Sequence, residues 1–161
     1  MKLENKNISV IGLGKTGIAV ANFLSQRGAR VTVMDSKPRE QFLETLKQLR
    51  ADVKTNFQNS EPPADSELVV LSPGVDINAT FLQNASRAGI EIISEIELAS
   101  RFNTVPIVAV TGTNGKSTCT SLIAEIISQS GKTVHAGGNL GIPFISLLDQ
   151  SDADYRVLEL S

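Results

Sequence analysis

Two short stretches settle most of what this chain can fold into: "ISVIGLGKTGIAV", starting at Ile8, and "IVAVTGTNGKST", from Ile107 to Thr118. In each, a β-branched run passes straight into a glycine-rich loop and then into residues of helical spacing. That order, strand then phosphate-type turn then helix, belongs to parallel sheets, whose neighbouring strands must be joined by crossovers. Two such starts almost a hundred residues apart predict two βα-built units in one chain.

The intervening residues keep the same pattern. Ile8–Ile11 reads as a strand and Ile18–Gln26 as a helix that Gly28 ends in a left-handed cap. Val31–Met34 reads as a second strand closing at Asp35. Residues Arg39–Arg50 place Phe42, Leu43, Leu46 and Leu49 on one helical face, which predicts an amphipathic helix. Glu67–Ser72 is a strand stopped by Pro73-Gly74, Asn78–Ala88 a helix, Ile90–Ser94 a strand and Glu95–Phe102 a further helix, while Pro62-Pro63 marks a loop. The pattern restarts between Ile93 and Val105. The expected fold is therefore α/β: a Rossmann-like parallel-sheet domain over 1–93, followed by the start of a P-loop α/β ATPase domain over 94–161.

In the second unit a strand is expected at Pro106–Thr111, a helix at Lys116–Gln129 capped by Gly131, and a short strand near Thr133–Ala136. The loop "GGNLGIP" and a last strand "YRVLELS" follow. A unit that ends on its third strand is expected to leave apolar surface that more chain, or another chain, would cover.

Composition excludes several classes. With 41% hydrophobic and 20% charged residues, the chain has material for a sizeable core and is not of the disordered kind. Its 15 Lys+Arg against 17 Asp+Glu form no basic stripe, so nucleic acid is not an expected partner. The single Cys119 cannot form an internal disulfide and reads as a packing thiol inside a helix. The N-terminus runs almost directly into a strand, and no run approaches the ~18 apolar residues of a membrane span. A cytoplasmic protein without membrane insertion is the expectation.

The chemistry lies in the two loops. Gly12-Leu13-Gly14-Lys15-Thr16-Gly17 fits G-x-G-x-x-G: the first glycine permits a tight turn, the second a close backbone approach to phosphate, the third helix–strand packing. Asp35, 18 residues beyond Gly17, ends the second strand where a ribose-binding acid would sit. Glycines that merely shorten a βα turn, with Asp35 as a cap, are the plainer alternative, and the loop alone leaves the nucleotide open. The second loop, Thr111-Gly112-Thr113-Asn114-Gly115-Lys116-Ser117-Thr118, is more specific. Backbone N–H groups converge on phosphate, Lys116 reaches the β/γ oxygens, and the Ser117 hydroxyl suits Mg²⁺. Val110 stands where the general P-loop pattern has its first glycine, so the loop is a variant.

"TGTNGKST" after "IVAV" resembles the ATP loop of the Mur ligases and folylpolyglutamate synthases, which join a carboxylate to an amine through an acyl phosphate. Together with "VIGLGKTG", "LSPGV", "GIEIISEIELASRF", "GGNLGIP" and "LELS", the likeness is to the Mur ligases and spans essentially the whole chain. The resemblance implies UDP-N-acetylmuramoyl-L-alanine and D-glutamate as substrates, ATP and Mg²⁺ as cofactors, and a monomer when complete. It places Gly14, Lys15 and Thr16 at the UDP diphosphate, Asp35, Ser36 and Lys37 beside the uridine, and Ser72, Pro73 and Gly74 on the flank of that cleft. Gly112, Thr113, Asn114, Gly115, Lys116, Ser117 and Thr118 would cradle ATP, with Lys116 catalytic. Asn139 would face the muramoyl end, and Ser117 with Glu159 would hold the metal. His135 matches no motif of the family and reads as a packing or surface residue. Two rival readings are a nucleotide-sugar-binding module without catalysis and an NAD-dependent oxidoreductase. The latter leaves Lys116 and Ser117 unexplained.

Overall fold

The computed structural model describes residues 1–139 and 141–160. Leu140 of the "GGNLGIP" loop and Ser161 of the expected last strand lie outside the described residues. The chain divides into two compact units, Met1–Leu98 and Ala99–Ser161.

In the first unit, β1 (Asn7–Ile11), β2 (Arg30–Asp35), β3 (Lys54–Phe57), β4 (Leu68–Leu71) and β5 (Glu91–Ser94) form one sheet in the order β3-β2-β1-β4-β5. All four pairings are parallel. The three central strands are β-branched and aliphatic because helices and loops leave neither face to water: Val10, Val33, Met34, Val69 and Val70 are fully buried. Helix α1 (Lys15–Gln26) adds Val20, Ala21, Phe23 and Leu24 to that core. It ends as the sequence predicts. Gly28 sits at φ +80°, and the N–H groups of Gly28 and Ala29 donate to the carbonyls of Ser25 and Leu24, a Schellman cap.

The long helix expected over 39–50 is absent. A 3₁₀ turn at Arg39–Phe42 and a single helical turn, α2 (Leu43–Leu46), take its place, and neither buries a residue. One of the apolar residues has another partner, the Phe42 ring stacking on Phe57 of β3 with centroids 5.8 Å apart, while Leu43 is left exposed. Asn22 of α1 then fixes the returning chain, donating to the Gln48 carbonyl and accepting the Arg50 N–H. Strand β3 itself carries no expectation from sequence. "KTNF" is an edge strand whose side chains are only half-buried, so it shows no apolar alternation. After β4, helix α3 (Thr80–Arg87) leads to β5, and helix α4 (Glu95–Ser100) follows.

The second unit holds β6 (Ile107–Val110), α5 (Lys116–Gln129), β7 (Val134–Gly138), α6 (Phe144–Leu147) and β8 (Tyr155–Glu159). Its parallel sheet runs β6-β8-β7, so the last strand in sequence is the central one. Val157 and Leu158 are accordingly buried. Helix α6, not expected from sequence, buries Phe144, Ile145 and Leu147 within one turn. Helix α5 buries only Thr120. Leu122 and Ile126 on the same helix are 57% and 60% exposed, the uncovered apolar surface that a three-stranded unit implies. Cys119 is exposed, contrary to the packing role expected of it, because the helix turns its neighbour Thr120 to the sheet instead.

Arg156, at 4% exposure, anchors the unit from inside. Its guanidinium donates to Asn103 Oδ1 and to the carbonyls of Leu147 and Gln150. Burial lowers its pKa from the usual arginine value.

Candidate phosphate-binding sites

In the first unit the chain builds β1, β2 and β3 in one direction, then returns to place β4 on the other side of β1. The reversal opens a crevice at the carboxyl ends of β1 and β4, where ligands of open parallel sheets bind. The glycine loop lies there. Gly12 adopts φ +95°, which a side chain would strain. A Cβ on Gly17 would meet the Gly12 carbonyl oxygen at 1.9 Å, whereas one on Gly14 would meet nothing within 4 Å. The third glycine therefore serves packing. The second leaves open space in front of the N-terminus of α1.

A cleft of about 530 Å³ occupies that space. Gly14, Lys15, Thr16, Asp35, Ser36, Lys37, Ser72, Pro73 and Gly74 all line it, so the structure brings every first-unit residue singled out in the sequence to one place. Lys15 and Lys37 supply positive charge near the α1 N-terminus, where orphan N–H groups favour an anion. Ser60, Val75, Asp76, Ala79 and Phe81 complete the walls. These five come from the loops after β3 and β4 and from α3, and no local motif marks them. A second cavity of the first unit, of about 490 Å³, lies by Asn7–Ser9 and Arg30–Thr32, where β1 and β2 begin, away from the Gly12–Gly17 loop.

In the second unit the loop between β6 and α5 is shaped by Gly112 at φ +146° and Gly115 at φ +73°, with Gly115 as the N-cap of α5. Neither would bring a Cβ within 4 Å of another group, so the loop stays open to its front. Lys116 lays its ammonium across the loop and donates to the Gly112 carbonyl at 3.0 Å. The Ser117 hydroxyl donates to Glu159 Oε2 at 2.5 Å. Glu159 is buried and lies at the end of the central strand, paired with Val110 on one side and Gly138 on the other. The Asn139 N–H donates to the Glu159 carbonyl at 2.9 Å. That close return requires glycine at 138, whose Cβ would lie 2.4 Å from the same oxygen. Lys116, Ser117, Glu159 and the backbone of Asn139 thus meet at one end of the sheet, while Thr113, Asn114 and Thr118 stand exposed on the loop and first turn.

Two hard oxygen donors beside a phosphate loop fit a divalent cation that takes its other ligands from phosphate and water. Among the described residues no group of three or more His, Cys, Asp and Glu is placed to hold a metal ion. His135 lies apart from this arrangement. It pairs with Asp152 at 3.0 Å and so holds the Asp152 carboxyl below its ordinary range. No described helix is long and apolar enough to cross a membrane.

Residues 6–94 match the family described as Mur ligase MurD-like, N-terminal domain, and residues 110–161 match the Mur ligase middle domain. The chain is 46% identical over 161 residues to a UDP-N-acetylmuramoylalanine–D-glutamate ligase of Geobacter metallireducens, covering 98% of this chain and 36% of the relative. A ligase of the same name from Geotalea uraniireducens is 47% identical, covering 100% and 36%, and one from Haemophilus influenzae is 42% identical, covering 98% and 36%. The chain thus spans about a third of the length of these relatives. Among solved structures, a murein peptide ligase from Psychrobacter arcticus shares the fold at a TM-score of 0.50 and 17% identity, covering 98% of this chain and 38% of that one.

Proposed function

This chain belongs to the Mur ligase family, and on that premise we infer that it forms the UDP-precursor-binding part and the ATP loop of a ligase that adds D-glutamate to UDP-N-acetylmuramoyl-L-alanine. The observation that carries the reading is the contact of Ser117 with Glu159. The two residues are 42 apart in sequence, and their side chains meet at 2.5 Å directly after the loop lysine. A glycine loop that only shortened a turn would need neither group there.

In this reading the first-unit cleft takes the UDP moiety. The N-terminus of α1, Gly14, Lys15 and Thr16 receive the diphosphate, Ser36 and Lys37 flank the uridine, and Pro73 and Gly74 border the exit from the cleft. The loop 112–118 receives the phosphates of ATP through its N–H groups. Lys116 moves from the Gly112 carbonyl to the β/γ oxygens and neutralises charge as the γ-phosphoryl passes to the L-alanyl carboxylate. The amine of D-glutamate then attacks the acyl phosphate and inorganic phosphate leaves. Ser117 and Glu159 are the side chains that would hold Mg²⁺, which supplies Lewis-acid neutralisation of the phosphate oxygens. Asn139 orients the muramoyl end. Cytoplasmic location and a monomeric complete protein belong to the same proposal.

Calorimetric titration of the chain with UDP and with NAD tests the first half. UDP is expected to bind in preference, and tight NAD binding without a UDP response would overturn it. For the second half, Lys116→Ala in the full-length protein is expected to abolish ligation and leave UDP affinity unchanged. Undiminished phosphate release would refute the assigned role.

A further inference from the structure

The glycine turn of the first unit is held from both sides by side chains of the neighbouring strands. β1 lies between β2 and β4. From the β2 side, Asp35 accepts the Leu13 N–H on Oδ2 at 2.8 Å and the Lys37 N–H on Oδ1 at 2.9 Å. From the β4 side, the Ser72 hydroxyl donates to the Gly12 carbonyl at 2.9 Å, and the Ser72 N–H donates to the Ile11 carbonyl at 3.0 Å. Ser72 and Leu13 are both buried. Gly17 lets α1 approach the same Gly12 carbonyl.

A turn built on glycines loses more conformational freedom on ordering than any other. A carboxylate beside a phosphate site also repels the ligand unless its charge is spent elsewhere. Here both carboxylate oxygens are engaged by main-chain N–H groups, one from the glycine turn and one from the segment just after β2, and hydrogen bonds of this charge-assisted kind are the strong ones. We propose that Asp35 and Ser72 are positioning residues that clamp the Gly12–Gly14 turn, so that the first N–H groups of α1 are aimed at a diphosphate before it arrives. Asp35 acts through the Leu13 N–H of the turn, not by accepting a hydroxyl of the nucleoside. The inference rests on the reading of the cleft as a nucleoside-diphosphate site.

A clamp on the anion end has a different signature from a contact to the nucleoside. If Asp35 touched the base or ribose, its loss would weaken UDP and leave inorganic pyrophosphate unaffected. As a clamp, it matters equally to both. Asp35→Asn and Ser72→Ala, which remove one charge and one oxygen atom respectively, are each expected to weaken UDP and pyrophosphate by the same factor, about tenfold. Amide exchange of Leu13 in the ligand-free chain should quicken in both variants while that of Val10, in the strand beneath, stays at the wild-type rate. Weaker UDP with unchanged pyrophosphate, or unchanged Leu13 exchange, overturns the clamp. Wild-type chain that binds neither ligand instead refutes the nucleotide reading, and the Leu13 exchange rates then still decide the clamp.

Discussion

The three glycines of the first loop look alike in sequence, and their surroundings separate them. Gly17→Ala would push a Cβ to 1.9 Å from the Gly12 carbonyl oxygen. The backbone must move, at a cost of about 1–3 kcal/mol, and the turn moves with it. Gly14→Ala meets nothing within 4 Å and keeps an ordinary φ of −86°, so the fold accepts it. Its methyl group would, however, occupy the space in front of the α1 N-terminus. Urea denaturation combined with UDP titration should separate the two: Gly17→Ala lowers the unfolding midpoint, whereas Gly14→Ala leaves it unchanged and loses UDP affinity. Equal midpoints would refute the assigned division of labour.

At the scale of the element, β8 carries two unlike tasks at its two ends. Glu159 at the carboxyl end contacts the loop through Ser117, while Arg156 near the start ties Asn103, the carbonyl of Leu147 at the end of α6 and that of Gln150 to the sheet. Arg156→Met keeps much of the volume but leaves two carbonyls and the Asn103 amide oxygen without their donor. A loss of about 2–3 kcal/mol is expected, read as a shift of the second unit's unfolding transition while UDP binding by the first unit persists. A change below about 0.5 kcal/mol, the range of ordinary surface substitutions, would show that the arginine is not the anchor. The same strand marks a limit of sequence reading. "YRVLE" is legible as a strand, but its central place between β6 and β7 is not, because parallel strands are ordered by crossovers that leave no local mark.

Across the whole molecule the two units differ in how completely they cover their sheets. The first has five strands with three buried central ones, whereas the second has three strands, the one-turn helix α6 and the long helix α5, which buries one residue. Opening free energy follows buried apolar contact. Hydrogen exchange of the 161-residue chain should therefore protect amides of β1, β2 and β4 more than those of β6 and α5. Equal protection would mean that the exposed Leu122 and Ile126 are covered in solution.

By itself the sequence determined the two βα starts, the Gly28 cap, the two glycine loops and the α/β class. Each is written in local spacing or in the stereochemistry of glycine, which acts within a few residues. It did not determine the 39–50 segment, where a helical face was legible but the Phe42 ring found Phe57 instead. Nor did it reveal β3, α6 or the anchoring role of Arg156, whose partners are distant in sequence. Tertiary structure alone decided that Asp35 and Ser72 grip the same turn from opposite sides, and it supplied the contact of Ser117 with Glu159, which only the family resemblance had paired. Both depend on which strands end side by side, and strand order is set by the burial of the whole sheet rather than by any residue's own preference.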